Sequence, residues 1–222
     1  MAKVKLKSSQ ERLRDIGKAV ARRLSAPSRC QQAHGKGATL YLAQDFLKID
    51  ECAALIEHIN QGREPSTLLA EHPDADFRTS DSCHLNKRQD LVEEIENRIC
   101  ALMGVDRRHG ETLQGQVYEV GQQFKPHYDW FRKGAAYWER MNEAGGQRSW
   151  TAMIYLNEPA AGGETHFPTA GLTVKARTGM LVLWNNMLPD GTPNEATLHA
   201  GTPVKAGTKY IVTKWFRERY WQ

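Results

Sequence analysis

The sequence predicts an α+β protein, mainly β, in which a double-sheet jelly roll is braced on one face by N-terminal helices. Three observations lead there. From Glu111 onward, apolar and polar residues alternate in short runs, the period of strands. Eighteen Gly and nine Pro supply turns between those runs. Before Gly104, apolar residues recur instead at helical spacing. A chain of 222 residues, 40% of them hydrophobic, carries one core. The expected division is a basic helical arm over 1–37 and a domain over 38–222, with helical support over 38–110 and the jelly-roll core over 111–222.

Residues 1–36 hold ten Lys and Arg against Glu11 and Asp15. Leu13, Ile16, Val20 and Leu24 mark a helix, capped by Ser8 or Ser9 and followed by Pro27. Gly17 interrupts its pattern. An arm contacting nucleic acid or an acidic partner is one reading. An amphipathic helix packed on the barrel with a solvated basic face is the favoured one. The acidic residues argue against a transit peptide. Residues 38–47 read as a strand and turn, and Asp50 as the cap of a helix to Asn60, with Cys52, Leu55, Ile56 and Ile59 inward. Residues 61–76 read as a loop, and Asp90 to Met103 as a helix ended by Gly104.

The strands expected next are Leu113–Val120, Phe124–Trp130, Ser149–Asn157, Glu164–Phe167, Leu172–Ala176, Met180–Trp184, Thr197–Val204 and Tyr210–Arg219. The last two are expected to pair as a hairpin around Lys205-Ala206-Gly207-Thr208. Residues 131–147 are a long polar insertion, the kind of segment that serves as a lid.

Composition narrows the function. A net charge of +4 is too mild to mark a nucleic-acid partner. Cys30, Cys52, Cys83 and Cys100 form no Cys-x-x-Cys, which argues against a zinc ribbon and suits reduced thiols in the cytoplasm. No run of eighteen apolar residues crosses a membrane, and the N-terminus lacks a secretory apolar core.

The chemistry centres on His127-x-Asp129. Residues i and i+2 of a strand share a face, so an imidazole and a carboxylate can grip one metal ion. His199 is the candidate third ligand. Two histidines and one carboxylate with open positions form the ligand set of non-haem Fe(II) oxygenases. The triplet alone is weak, since chance supplies it in about half of chains with this many histidines. Its surroundings add the specificity. Lys209 follows His199 by ten residues and Trp215 by sixteen; Gly162-Gly163-Glu164-Thr165-His166-Phe167-Pro168 and Gly146-Gln147-Arg148 precede them.

In these motifs and their order the sequence resembles the prolyl 4-hydroxylase-like branch of the Fe(II)/2-oxoglutarate-dependent dioxygenases, over residues 38–219 and most strongly over 113–217. Phe77-Arg78-Thr79-Ser80 also resembles a segment of that family. The resemblance implies a double-stranded β-helix with Fe(II) on His127, Asp129 and His199, 2-oxoglutarate and O2 as co-substrates, and ascorbate as an accessory reductant. It implies that Lys209 holds the distal carboxylate of 2-oxoglutarate, with Tyr118 and Thr165 as hydroxyl partners, and that Arg148 and Trp215 meet the substrate. A buried lysine is tolerable where a carboxylate answers it. The implied reaction hydroxylates a C–H bond, releasing succinate and CO2. A peptidyl or protein prolyl residue is the leading substrate; a free amino acid or small metabolite comes next, and a non-catalytic iron and 2-oxoglutarate sensor is the rival from another class. The oligomeric state, monomer or homodimer, stays open. Phe124 stands where prolyl enzymes carry Tyr, and Tyr210 where Trp is common. His166 is read as a neighbour of the site, and Lys214 as a solvated outward residue.

Overall fold

The computed structural model describes residues 6–26, 30–69, 73–85 and 90–222. The elements run α1 (Ser9–Leu24), β1 (Gln31–His34), β2 (Thr39–Ala43), α2 (Ile49–Gly62), β3 (Glu64–Pro65), β4 (Asp81–His84), α3 (Asp90–Met103), β5 (Gln114–Tyr118) and β6 (Phe124–His127). They continue α4 (Trp138–Glu143), β7 (Arg148–Tyr155), β8 (Ala161–Gly162), β9 (Thr165–Phe167), β10 (Leu172–Val174), β11 (Leu181–Asn185), β12 (His199–Gly201), β13 (Val204–Ala206) and β14 (Lys209–Arg217). An eight-stranded sheet in the order β1-β2-β11-β7-β14-β5-β4-β3 faces a four-stranded sheet, β10-β9-β12-β6; β13 and β8 form a separate pair. This is the jelly roll expected from the strand pattern.

The central strands of the large sheet are buried on both faces, and their alternation sorts residues between two cores. Trp150, Ile154, Leu183, Val212 and Phe216 pack with Leu55, Ile59, Ile95 and Ile99 of α2 and α3. Their neighbours Met153, Tyr155, Val182, Trp184 and Ile211 pack between the sheets with Phe167 and Tyr118. Each fully buried Leu or Ile contributes about 2 kcal/mol, and truncating one to Ala costs about 2–5 kcal/mol.

The first helix packs into the same core. Leu13, Gly17, Val20 and Leu24 are buried, while Lys18, Arg22 and Arg23 stay exposed. Ser8 is its cap, and Glu11 closes a capping box. Gly17 sits where a side chain would meet Asn185: an added Cβ would lie 2.8 Å from Asn185 Nδ2. The glycine lets the helix approach the sheet closely. Arg23 donates to the Ala101 and Leu102 carbonyls at the end of α3, a favourable place for a cation. The boundary expected at residue 37 falls inside the paired hairpin β1–β2. Pro27 lies outside the described residues.

Four expectations are corrected. The stretch 197–204 is not one strand and does not pair with 210–219. β12 pairs with β6 and β9, β13 with β8, and β14 with β5 and β7. Between them the chain crosses from the small sheet at Thr202-Pro203, where proline has no N–H to extend a ladder. Lys214 is not solvated. It points away from the barrel interior, but α3 covers that face, and Lys214 pairs there with Glu96, both side chains fully buried. Asp50 is not the cap of α2: the cap is Lys48, two residues earlier, and the Glu51 carboxylate accepts from the Lys48 N–H at 2.8 Å. Finally, the expected loop over 61–76 contains the short strand β3, and the insertion 131–147 carries α4. The helix over Asp90–Met103 stands as expected, with Gly104 at φ +71° after it.

Candidate active site

The site lies between the two sheets. His127 ends β6 and His199 begins β12, and the two are cross-strand partners. Their rings are 4.3 Å apart. Asp129 stands two residues beyond His127, in the bend that follows β6. One ligand atom from each of His127, Asp129 and His199 falls within 4.8 Å of the others. Asp129 and His199 are about 5% and 6% exposed; His127 is half-buried.

Hydrogen bonds orient all three. His127 Nδ1 lies 2.9 Å from the Lys125 carbonyl, and His199 Nδ1 lies 2.9 Å from the Thr197 carbonyl. A carbonyl only accepts, so each Nδ1 carries the proton and each Nε2 keeps its lone pair for a metal. Asp129 Oδ2 accepts from the Thr151 hydroxyl at 2.7 Å. Burial, reinforced by the neighbouring His199, pushes His127 down to about 3, so the ring is neutral near pH 7. Burial acts to raise the Asp129 carboxyl, but His199, His127, Arg148 and the Thr151 bond outweigh it and hold it below the ordinary range. Two imidazoles and one carboxylate, converging with labile positions left over, fit a ferrous ion. Phe124 stacks flat on His127, centroids 3.5 Å apart and planes 12° apart.

Lys209 comes from the opposite sheet, opening β14 beside its partner Tyr118. It is 1% exposed. No carboxylate among the described residues pairs with it. Its Nζ lies 5.2 Å from the Tyr118 ring and 5.5 Å from the Tyr155 ring, within cation–π reach. An ideal Cβ on Gly201, two residues beyond His199, would sit 3.6 Å from that Nζ. The ammonium therefore lies in the same cleft as the triad, about two strand residues deeper. Burial pushes it down to about 8. Thr165 also lines the cleft; its hydroxyl accepts from Tyr155 at 2.6 Å, and its own proton meets only the Met153 sulfur at 3.9 Å. The Tyr118 hydroxyl donates to Gln116 at 2.7 Å. The cleft is narrow, with a cavity volume of about 40 Å³.

Trp215 lines the cleft and Arg148 stands behind it, its guanidinium 3.9 Å from the Trp215 ring. Arg148 is held by both oxygens of Glu111, at 2.6 and 2.7 Å, and Arg217 reaches the same carboxylate. His166 points to Thr173 rather than into the triad. Sequence reading passed over Gln116, Thr213 and Thr151. Gln114, Gln116 and Tyr118 alternate along β5, and that polar stripe on a buried strand was the available signal.

Known proteins carry this arrangement. The sequence profile of the 2OG-Fe(II) oxygenase superfamily matches residues 113–217, from the start of β5 to the end of β14. The chain is 36% identical over 197 residues to probable prolyl 4-hydroxylase 10 of Arabidopsis thaliana, covering 78% of this chain and 66% of that one. It is 34% identical to probable prolyl 4-hydroxylase 3 of the same plant, covering 79% and 68%. The chain belongs to the 2OG-Fe(II) oxygenase superfamily. Within the superfamily it is a prolyl 4-hydroxylase-like dioxygenase, whose cofactor is Fe(II) and whose co-substrates are 2-oxoglutarate and O2. The chain spans about two thirds of the length of these plant relatives. A solved neighbour is the viral collagen prolyl hydroxylase of Paramecium Bursaria Chlorella virus-1 in complex with 2OG. It superposes with TM-score 0.64 at 27% identity, over 82% of this chain and 97% of that one.

Proposed function

We propose that this oxygenase hydroxylates a prolyl residue of a peptide or protein. The relatives named for prolyl hydroxylation support the substrate class. The observation that carries the reading is a three-ligand cluster on one sheet facing a buried lysine without a carboxylate partner on the other. His127, Asp129 and His199 hold the ferrous ion, which with 2-oxoglutarate and O2 supplies the oxidant for C–H hydroxylation. Lys209 would fix the distal carboxylate of 2-oxoglutarate through charge-assisted bonds, strengthened by its burial. Thr165 adds a donor, since its proton has only a weak thioether partner. Tyr118 joins by turning its hydroxyl from Gln116. Phe124, Trp184 and Trp215 keep water from the reacting centre. Trp215, braced from behind by Arg148, presents the wall that the substrate meets.

The test is succinate formation with Fe(II), 2-oxoglutarate and ascorbate, with and without proline-containing peptides, read alongside the peptide's mass. One added oxygen on proline supports the proposal. A second reading, hydroxylation of a free amino acid or small metabolite, is favoured by Phe124, which brings no hydroxyl to orient a peptide. Oxygen added to a free amino acid and to no peptide would decide for it. Binding of 2-oxoglutarate without turnover of any substrate would mark a sensor instead.

A further inference from the structure

Behind the triad runs a hydrogen-bonded chain that joins two of its three members. Thr151 lies on β7 in the large sheet, while Asp129 follows β6 in the small one. The Thr151 hydroxyl donates across the gap to Asp129 Oδ2 at 2.7 Å. Asn186, just past β11, donates its Nδ2 to Thr151 Oγ1 at 2.9 Å. The Asn186 carbonyl accepts from the Asn194 N–H at 3.0 Å. The Asn194 carbonyl accepts from the Thr197 hydroxyl at 2.7 Å, and the Thr197 carbonyl from His199 Nδ1 at 2.9 Å. Asp129, Thr151, Asn186, Asn194, Thr197 and His199 are each at most 6% exposed.

The chain has only one polarity. A carboxylate accepts and never donates, so the single Thr151 proton is committed to Asp129. The Thr151 oxygen then offers only lone pairs, and Asn186 must present its NH2 to it. The amide carries a penalty there: Asn186 Oδ1 is buried with no hydrogen-bond partner among the described residues. An apolar residue would avoid that penalty. Its amide is retained for the donor it supplies.

We infer that Thr151 and Asn186 are positioning residues, which fix the rotamer of the Asp129 carboxylate so that one oxygen is presented to the metal. This deepens the metal-site reading and rests on it. Asn186 reaches both ends of the chain, the side chain toward Asp129 and the backbone toward the turn that presents His199.

The test uses the full chain with Mn(II) and Co(II) as probes, in the absence of substrate. Thr151→Val keeps the shape and removes the hydroxyl; it should weaken Mn(II) binding about 10–100-fold. It should also alter the visible absorption of the Co(II) protein. Thr151→Ser restores the hydroxyl and should restore both. Asn186→Asp presents an acceptor to Thr151 and draws its proton from Asp129, so it should weaken Mn(II) binding as well. Melting of the metal-free proteins is the control: a merely structural role would lower all melting temperatures and leave the affinity of the folded fraction unchanged. Either variant decides if the other fails to fold. Unchanged Mn(II) affinity and Co(II) absorption in Thr151→Val, or unchanged affinity in Asn186→Asp, overturns the positioning role. A wild-type protein that binds neither ion overturns the metal reading itself.

Discussion

Replacing Lys209 with methionine separates what the lysine does to the fold from what it does for the ligand. Burial lowers its ammonium from 10.5 to about 8. That drop corresponds to about 3 kcal/mol at 1.36 kcal/mol per unit. The folded-state value lies below the unfolded one, so the unfolded chain holds the proton more tightly. At pH 7 both states are protonated, and the full penalty falls on the native state. Between about 8 and 10.5 the native lysine sheds its proton first, and the stability of the ligand-free protein rises with pH. Lys209→Met removes the penalty while keeping the bulk, so the metal-free variant should melt at or above the wild-type temperature. The same change removes charge-assisted bonds worth about 1.5–3 kcal/mol, a weakening of 2-oxoglutarate binding on the order of 10–100-fold. In the wild type the competent state is the protonated one, so the apparent dissociation constant should rise about fivefold from pH 8 to pH 9; in the variant it should stay flat. Calorimetric titration of 2-oxoglutarate into the Mn(II) protein measures both. Wild-type-like affinity in Lys209→Met, or a variant several degrees less stable than wild type, would refute the picture of an uncompensated ammonium awaiting a carboxylate.

Lys214→Met should destabilise by about 3–5 kcal/mol in urea denaturation, because it strands the Glu96 carboxylate under α3. Adding Glu96→Leu should recover most of that loss; a double variant no better than the single one would contradict the pairing. His127, held near 3 by burial and His199, takes up its proton in the unfolded chain near 6.5. The metal-free protein should therefore lose stability as pH falls from 6.5 toward 3, and a melting temperature flat from pH 7.5 to 4.5 would count against the buried neutral ring. Phe124→Tyr keeps the ring stacked on His127 and adds a hydroxyl at its edge. Iron and 2-oxoglutarate affinities should hold while the KM for a prolyl peptide falls; a change confined to metal binding would show that Phe124 acts on His127 instead.

Much of this was legible along the chain because local patterns were strong. Asp90–Met103 repeats apolar residues cleanly and ends at a glycine, so its limits could be read directly. Strands β5, β7, β11 and β14 alternate on buried surfaces. The metal cluster was legible because His127 and Asp129 stand two residues apart, although Asp129 lies in the bend after β6 and not in the expected strand, and Lys209 was found in the cleft, though by a route other than the expected hairpin. What failed was long-range. Thr197–Val204 looks continuous, but partner choice depends on strands far away in sequence, and Pro203 divides it between ladders. Lys214 was assigned to the correct side of β14; alternation says which face a residue takes, not what covers that face. Gly17 looked like a flaw in a helix until Asn185 appeared against it. Thr151 and Asn186 left no signal, since a Thr within an apolar strand, or an Asn just past the end of one, resembles many others.

The ligand triad and the lysine belong to different sheets, and the spacing of those sheets is set by side chains such as Phe167, Trp184 and Tyr155 packed between them. On the proposed function, the gap would act as a gauge for the diacid held across it. Loops around the mouth lie outside that packing, so on the same reading the hydroxylated target could drift while the co-substrate stayed anchored in the core.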